Sequence, residues 1–254
     1  MDETEARARA DLNMFESFRV LARVADAGEI REAGGVMIAA TGLSMAMFNV
    51  AFITRPLTNP AKQLAGALAY FDSRGLPFIV RIREGVDPAS EAALEGMGVP
   101  FRDTVPAMFL DDAGVRGSFV EGLSIVRAID DRVREHHLDV AAEAYGMPTE
   151  VAHGLLPHAV VNERDEEMYV GYARGVPVAT SALVVTPGVA GVYNVATIPR
   201  FRRRGLGAAM TWHAIRRGHE LGCTVASLQS SDMGLHVYEA MGFRHIGGYR
   251  TFHR

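Results

Sequence analysis

The chain has 254 residues, of which 48% are hydrophobic, and a formal net charge of −4. These values suit one large or two smaller folded domains, exclude a disordered chain and argue against a general nucleic-acid binder. The single cysteine, Cys223, cannot form an intramolecular disulfide, and no apolar run approaches the roughly 20 residues of a membrane helix. Because the N-terminus also lacks an apolar signal core, we expect a soluble cytoplasmic protein that binds neither nucleic acid nor membrane.

In the first half, apolar segments predict strands at 48–53 and 78–82, with a helix between them that is followed by Gly75. Glycines between Gly114 and Gly122 then interrupt the pattern. We place a domain boundary there, which divides the chain into residues 1–118 and 119–254.

The second half predicts an α/β domain with a mixed sheet. A helical pattern covers 137–155 and breaks near Gly146, with Thr149 as the N-cap of its second part. The remaining predicted elements are strands 168–174, 178–186 and 192–197, helix 206–219, strand 224–228, helix 233–241 and a last strand from Ile246.

The two halves resemble each other at a nearly constant offset. Residues 48–53 align with 193–198 at an offset of 145, and residues 94–99 align with 238–243 at an offset of 144. Between these segments, both halves carry a helix, a glycine and a short apolar strand. We therefore predict two copies of one supersecondary plan.

The stretch Arg202-Arg203-Arg204-Gly205-Leu206-Gly207 lies between a predicted strand and a predicted helix. Its backbone N–H groups, the positive end of the helix dipole and the three arginines predict a site for a phosphate-bearing ligand. The dinucleotide motif G-x-G-x-x-G fails because Met210 holds the third glycine position, and the P-loop motif G-x-x-x-x-G-K-[ST] is absent.

Arg202, Gly205 and Gly207 match the [QR]-x-x-G-x-[GA] motif of the GNAT superfamily of acetyl-CoA-dependent acyltransferases, which this chain resembles. The pattern Ser231-x-x-Gly234-x-x-x-Tyr238-x-x-x-Gly242-Phe243 is similar to the closing pattern of that family, N-x-x-A-x-x-L-Y-x-x-x-G-F. It departs from it at two places, with Ser for Asn and Gly for Ala. The resemblance covers roughly residues 120–254 and, through the repeat, most of the chain. It implies two tandem domains, each with a central, mostly antiparallel sheet flanked by helices.

The resemblance also implies the chemistry. Acetyl-CoA is the expected co-substrate, and an amine attacks its acetyl group directly in a ternary complex, with Tyr238 as the general acid for the departing thiolate. The pantetheine arm is expected along the strand at 194–197, where one backbone N–H holds the developing oxyanion. The cofactor-binding residues implied are Val195, Ala196, Thr197, Arg202, Arg203, Arg204, Gly205, Leu206, Gly207, Ala208 and Ser231.

No general base is evident from the sequence. One run of candidates lies between the second-half helix and the first hairpin, a segment that in the family often borders the acceptor pocket. These candidates are His158, Glu163, Asp165, Glu166 and Glu167. This run either attracts a cationic amine or forms a solvated charged loop. The histidines show no metal spacing and one cysteine excludes a thiolate zinc site, so we predict no metal and a buried, structural Cys223.

The first copy lacks these features. Its counterpart of the arginine–glycine turn, residues 55–61, contains Pro56 and Pro60, which have no N–H to donate, and Leu94 stands in place of Tyr238. We predict a degenerate copy that supports the fold or shapes the acceptor pocket. The function predicted is acetyl transfer to an amine, most simply a small molecule. A non-catalytic acyl-CoA sensor and a structural, partner-binding protein are the alternatives, and monomer and homodimer both stay open.

Overall fold

The computed structural model describes residues 1–114, 117–155 and 166–254. The first-half elements are α1 (Glu3–Val24), β1 (Glu29–Ala33), β2 (Val36–Ala40), β3 (Asn49–Ile53), α2 (Pro60–Asp72), β4 (Ile79–Arg83), α3 (Pro88–Gly96) and β5 (Phe101–Leu110). The second-half elements are β6 (Leu123–Arg127), α4 (Asp131–Tyr145), α5 (Thr149–Leu155), β7 (Glu166–Ala173), β8 (Val176–Thr186), β9 (Val189–Thr197), α6 (Leu206–Glu220), β10 (Val225–Gln229), α7 (Asp232–Ala240) and β11 (Arg244–Phe252). Within the described ranges, no helix has the length and apolar character to cross a membrane.

Backbone contacts divide the chain into two compact units. One unit combines Met1–Ser17 with Met108–Ile246, and the other combines Phe18–Ala107 with Gly247–Arg254. These units group the chain differently from a single cut after residue 118, since α1 and β11 each contribute to both. The position of the boundary between the two sequence copies stays a prediction.

The larger unit contains a mixed sheet with the strand order β10-β9-β8-β7-β6. Strands β6 to β9 pair antiparallel with their neighbours, whereas β10 pairs parallel to β9. Because parallel strands need a crossover, α6 connects β9 to β10, and it packs on β8 and β9. A core of Met210, Trp212, Ile215, Leu183 and Val192 joins this helix to the sheet.

The smaller unit repeats this plan. Strands β1, β2 and β3 pair antiparallel, β4 pairs parallel to β3, and β11 pairs antiparallel to β4 through Tyr249–Phe252. Its helix α2 starts at Pro60 after the N-cap Asn59, and α3 starts at Pro88 after the N-cap Asp87, which is the usual arrangement of a capping side chain followed by proline. The shared order of three antiparallel strands, a helix, a parallel strand and a helix confirms the predicted tandem fold.

Most predicted elements of the second half are confirmed with small shifts in their ends. Gly146 ends α4 in the left-handed conformation, with φ of 64°, as its place in the sequence predicts. Two assignments differ: α4 begins six residues earlier, at Asp131 after its N-cap Asp130, and Thr149 is the first residue of α5 rather than its N-cap. The sequence prediction also omitted α1, β1, β2, β5 and β6.

Candidate active site

Strand β9 leaves its parallel neighbour before it ends. The pairing with β10 joins Val189 to Val225, Ala190 to Ala226 and Gly191 to Ser227, and β9 then continues to Thr197 beyond that pairing. In the smaller unit, by contrast, β3 stays paired with β4 up to its last residue, Ile53. The larger unit therefore presents an open strand edge at 192–197, which contains the predicted pantetheine-binding residues Val195, Ala196 and Thr197.

A β-bulge lies in the same part of β9, on the side that pairs with β8. Thr180 of β8 faces Ala196, but Ala182 faces Tyr193, so β9 has one residue more than β8 over this interval. Asn194 lies in the bulge with φ of 48°, a conformation that residues other than glycine rarely adopt. The bulge redirects the backbone of the residues that follow, which re-aims their N–H and C=O groups.

The arginine–glycine turn begins after a 3₁₀ turn at Pro199–Phe201 and ends in the first turn of α6. Gly205 is the N-cap of α6 with φ of 77°, which explains the requirement for glycine there. A Cβ at Gly207 would lie 3.9 Å from Cγ1 of Val195, an ordinary van der Waals contact, so this glycine lies next to the Val195 side chain of β9 and a side chain there would not clash. The N–H groups at the start of α6 thus lie beside the strand edge.

The three arginines of the turn have different roles in the fold. The Arg202 guanidinium donates to the carbonyl oxygens of Thr197 at 3.1 Å and Ala144 at 2.8 Å, which joins the end of β9 to the end of α4. Arg204 lies over the Phe201 ring and donates to the Arg200 carbonyl, and both Arg203 and Arg204 are exposed. The Arg202 side chain therefore shapes the turn, while Arg203 and Arg204 supply its exposed positive charge.

Tyr238 lies on α7 and is 9% exposed, with its ring edge-on to Phe243 at 5.9 Å between centroids. Burial raises the pKa of Tyr238 to about 12, and a hydrogen bond with Thr211 of α6 partly offsets that effect. The phenol therefore carries its proton throughout the neutral pH range. The predicted Leu94 counterpart on α3 is fully buried in the apolar core of the smaller unit.

The two departures from the closing motif of the family have structural reasons. Ser231 is the N-cap of α7, and its hydroxyl accepts from the Gly234 N–H at 3.3 Å, which is the usual role of a serine at this position. A Cβ at Gly234 would lie 2.9 Å from Cε2 of Tyr238 and 3.1 Å from Oγ of Ser230. Glycine at 234 thus leaves room for the Tyr238 ring in its present orientation.

Tyr145, at the end of α4, is a site residue that the sequence did not indicate. Its hydroxyl donates to the Val195 carbonyl at 3.3 Å, although half of the side chain is exposed. Desolvation and, secondarily, Tyr238 raise the pKa of Tyr145 above its usual value. The hydroxyl thus occupies the Val195 carbonyl, an acceptor in the segment that is predicted to pair with pantetheine amides.

We expect Tyr145→Phe to bind acetyl-CoA more tightly than the wild type, by about two- to tenfold, because one competing hydrogen bond of about 0.5–1.5 kcal/mol is removed. Isothermal titration of the two proteins with acetyl-CoA measures this difference. Weaker binding by Tyr145→Phe would show instead that the hydroxyl helps to hold the ligand.

His137, on α4, and Asn194 form a second contact that the sequence did not indicate, because the two residues are far apart in the chain. His137 is fully buried; its Nδ1 lies 3.1 Å from the Tyr169 carbonyl oxygen and its Nε2 lies 2.7 Å from Nδ2 of Asn194. Since a carbonyl only accepts, Nδ1 carries the proton and the unprotonated Nε2 accepts from the Asn194 amide. Burial lowers the pKa of His137 to about 4, so the ring is neutral at pH 7.

This buried histidine predicts a specific pH dependence of stability. Its pKa is about 4 in the folded protein and about 6.5 when unfolded, so between these values the unfolded chain binds more protons. We expect His137 to lower the free energy of unfolding by up to about 3 kcal/mol as the pH falls from about 6.5 to about 4, with no effect above that window. Urea unfolding at pH 7 and pH 4.5 should show a smaller difference for His137→Phe than for the wild type; equal differences would contradict a buried neutral histidine.

The candidates for the general base divide into two groups. His158, Glu163 and Asp165 lie outside the described residues. Glu166 and Glu167 lie in β7 and are buried, which corrects their assignment to a loop.

Glu167 is held in an ionic cluster. It accepts from Arg217 at 3.0 and 3.1 Å, from Arg127 at 3.1 Å and from the Tyr169 hydroxyl. Burial alone would raise the pKa of Glu167, but these partners lower it below its usual value. A carboxylate held in this way is a poor proton acceptor. Cys223 is buried and its thiol pKa is raised, which fits the predicted structural role.

The counterpart of the turn in the smaller unit is occupied by its own side chains. The Leu57 N–H donates to the Asp87 carboxylate at 2.9 Å, the Asn59 N–H donates to Gln63 at 2.7 Å, and the Lys62 N–H donates to the Asn59 side chain at 3.2 Å. These N–H groups are therefore already paired, and the prolines at 56 and 60 supply none.

Solved structures of other α/β proteins share the fold that carries this strand edge and helix start. A GCN5-related N-acetyltransferase from Kribbella flavida has the same fold, with a TM-score of 0.73 and 20% identity over 97% of this chain and 94% of that one. A tandem GNAT protein from the clavulanic acid biosynthesis pathway is similar over 96% of this chain and 94% of that one, with a TM-score of 0.58 and 15% identity. No curated protein sequence matches this chain.

The sequence itself matches a family. Residues 128–243 match the model of the acetyltransferase (GNAT) family. Residues 128–243 thus form a domain of the acetyltransferase (GNAT) family, and the described residues have the fold of tandem GNAT proteins. Members of the family generally use acetyl-CoA as the acyl donor.

Proposed function

We propose that the protein is an N-acetyltransferase that moves an acetyl group from acetyl-CoA to a small-molecule amine by direct attack in a ternary complex. One observation carries this proposal: the open edge of β9 at 192–197 lies beside the start of α6, which has no side-chain cap among the described residues, at the turn whose sequence matches the family motif. A strand edge can pair with the amides of a pantetheine arm, and a helix start with exposed arginines can bind a pyrophosphate.

Each group of residues in the site has its own proposed role in the reaction. The backbone N–H groups at 203–208 and the charges of Arg203 and Arg204 bind the pyrophosphate. The bulged backbone of β9 polarises the thioester carbonyl and stabilises the oxyanion that forms as the amine nitrogen attacks. As the carbon–sulfur bond breaks, Tyr238 donates its proton to the departing thiolate. The amine loses its proton to solvent or to a base that the described residues do not identify.

Only the larger unit is proposed to bind acetyl-CoA. The smaller unit keeps β3 paired with β4 from Val50 to its last residue, Ile53, and the N–H groups of its turn are bonded to Asp87, Gln63 and Asn59. We propose that this copy supports the fold, since a pyrophosphate there would have to break three internal hydrogen bonds and would stand against the Asp87 carboxylate.

A second function has specific support. The phenol of Tyr238 is buried and hydrogen-bonded to Thr211, and the carboxylate of Glu167 is held by arginines. Because these partners restrict proton exchange by both groups, the same binding site would also suit a sensor that binds an acyl-CoA without turnover. Release of free thiol from acetyl-CoA separates the two functions when it is followed over a panel of primary amines, amino acids and polyamines. Amine-dependent thiol release supports the transferase. Binding of acetyl-CoA without thiol release over the whole panel supports the sensor.

A further inference from the structure

We propose that His137 and Asn194 are positioning residues that hold the β9 bulge in the geometry with which its backbone polarises the thioester carbonyl. This inference rests on the proposed function of the same site. Neither side chain is required to touch the substrate; the pair acts through the backbone that lies between them and the open edge.

The pair is constrained at both of its ends. The His137 ring is fully buried and bonded on both nitrogens, to the Tyr169 carbonyl of β7 and to the Asn194 amide of β9. Asn194 is held a second time, because its carbonyl accepts from the Thr180 hydroxyl of β8 at 2.8 Å. The strained residue of the bulge is thereby connected to α4 and to β8, and through His137 to β7.

The constraint on Asn194 also affects the next residue, Val195. Val195 lies where the regular pairing with β8 is interrupted, and its carbonyl accepts from the Tyr145 hydroxyl of α4. A residue at φ of 48° costs of order 1–3 kcal/mol unless its surroundings fix it. Removing the side-chain amide of Asn194 would destabilise this conformation of the bulge, and the direction of the N–H and C=O groups of Val195 would change.

The repeat offers an internal comparison. Asn49 is the counterpart of Asn194 at an offset of 145, yet its φ is −126° and β3 pairs with β2, the counterpart of β8, without a bulge. Its side chain accepts from the N–H groups of Thr41 and Gly42 and donates to the carbonyls of Leu43 and Pro77. The same residue type thus ties together loops in one copy, whereas in the other it pairs with a histidine and holds a bulge.

The carbonyl stretching band of bound acetyl-CoA, labelled with ¹³C at the thioester carbonyl, tests this role without requiring a known acceptor. The variants are Asn194→Gly, which tolerates a positive φ but lacks the amide, and His137→Phe, which keeps a ring of similar size. Ile82→Val, a mild core change in the smaller unit, is the control for general destabilisation. Isothermal titration of each protein with acetyl-CoA gives the affinity.

We expect the wild type and Ile82→Val to shift the band to lower frequency relative to free acetyl-CoA. In both site variants that shift should fall to about half or less, while the affinity stays within about threefold, because the pyrophosphate contacts are unchanged. Bands identical to the wild type in Asn194→Gly would overturn the positioning role, even if His137→Phe failed to fold. A wild type that does not bind acetyl-CoA would instead overturn the proposed function.

Discussion

Tyr238→Phe should lower kcat by about 10²- to 10⁴-fold, the usual contribution of a positioned general acid. The variant loses only a hydroxyl, and the buried ring keeps its contact with Phe243. The arginine–glycine turn at 202–208, which is proposed to bind the pyrophosphate, does not include α7. The affinity for acetyl-CoA should therefore stay within about threefold of the wild type. Steady-state thiol release and titration with acetyl-CoA measure the two quantities on the same preparation.

Tyr145→Phe is the matched control for this experiment, because it removes a second phenol near the same site but one that is bonded to the Val195 carbonyl. Its kcat should remain close to that of the wild type. A similar loss of kcat in both variants would argue against a specific acid role for Tyr238. A large loss of acetyl-CoA affinity in Tyr238→Phe would identify the hydroxyl as a binding or packing group.

Gly207→Asp should abolish most binding of acetyl-CoA, with a loss of affinity of about 100-fold or more. The position has space for a side chain, and a carboxylate in the first turn stabilises a helix by about 0.3–1 kcal/mol. The same carboxylate would lie close to the pyrophosphate, where the repulsion between two unit charges 4 Å apart is about 4 kcal/mol at an effective dielectric constant of 20. The variant thus separates folding from binding.

Ala61→Asp is the control that the repeat provides, since Ala61 is the second residue of α2 as Gly207 is of α6. Ala61 is exposed, and its turn is already bonded to side chains of the smaller unit. Thermal unfolding should show both variants folded, while titration with acetyl-CoA should show normal affinity in Ala61→Asp alone. If Gly207→Asp bound acetyl-CoA like the wild type, the ligand would not lie at the start of α6.

Features with local sequence signals were predictable. The tandem plan followed from apolar segments spaced at a constant offset, and a glycine with positive φ at the start of α6 followed from the place of Gly205 between a strand and a helix. That this turn binds phosphate stays a prediction. Helix α1 also has a local signal that was overlooked: Glu5 and Arg9 form an ion pair of 2.7 Å at the i,i+4 spacing of a helix. Strand β6 has little signal, because its residues are half-buried or exposed at the edge of the sheet.

Features that depend on distant residues could not be predicted in the same way. Asn194 in the bulge of β9 is bonded to His137 of α4, and the side chain of Arg202 is held by the Ala144 carbonyl at the end of α4. The burial of Glu167 is possible only because Arg127 and Arg217 neutralise it. Each of these contacts joins segments that are far apart in the sequence and requires the folded sheet to bring them together.

The stoichiometry of acetyl-CoA binding tests most directly whether only one of the two copies of the fold binds the ligand. Isothermal titration of the full chain with acetyl-CoA should give one bound molecule per chain. The same titration of Gly207→Asp should show almost no heat at the same concentrations, because that substitution blocks the single site. Two molecules per chain would contradict the account of the smaller unit, and absence of heat from the folded wild type at millimolar acetyl-CoA would contradict the proposed function itself.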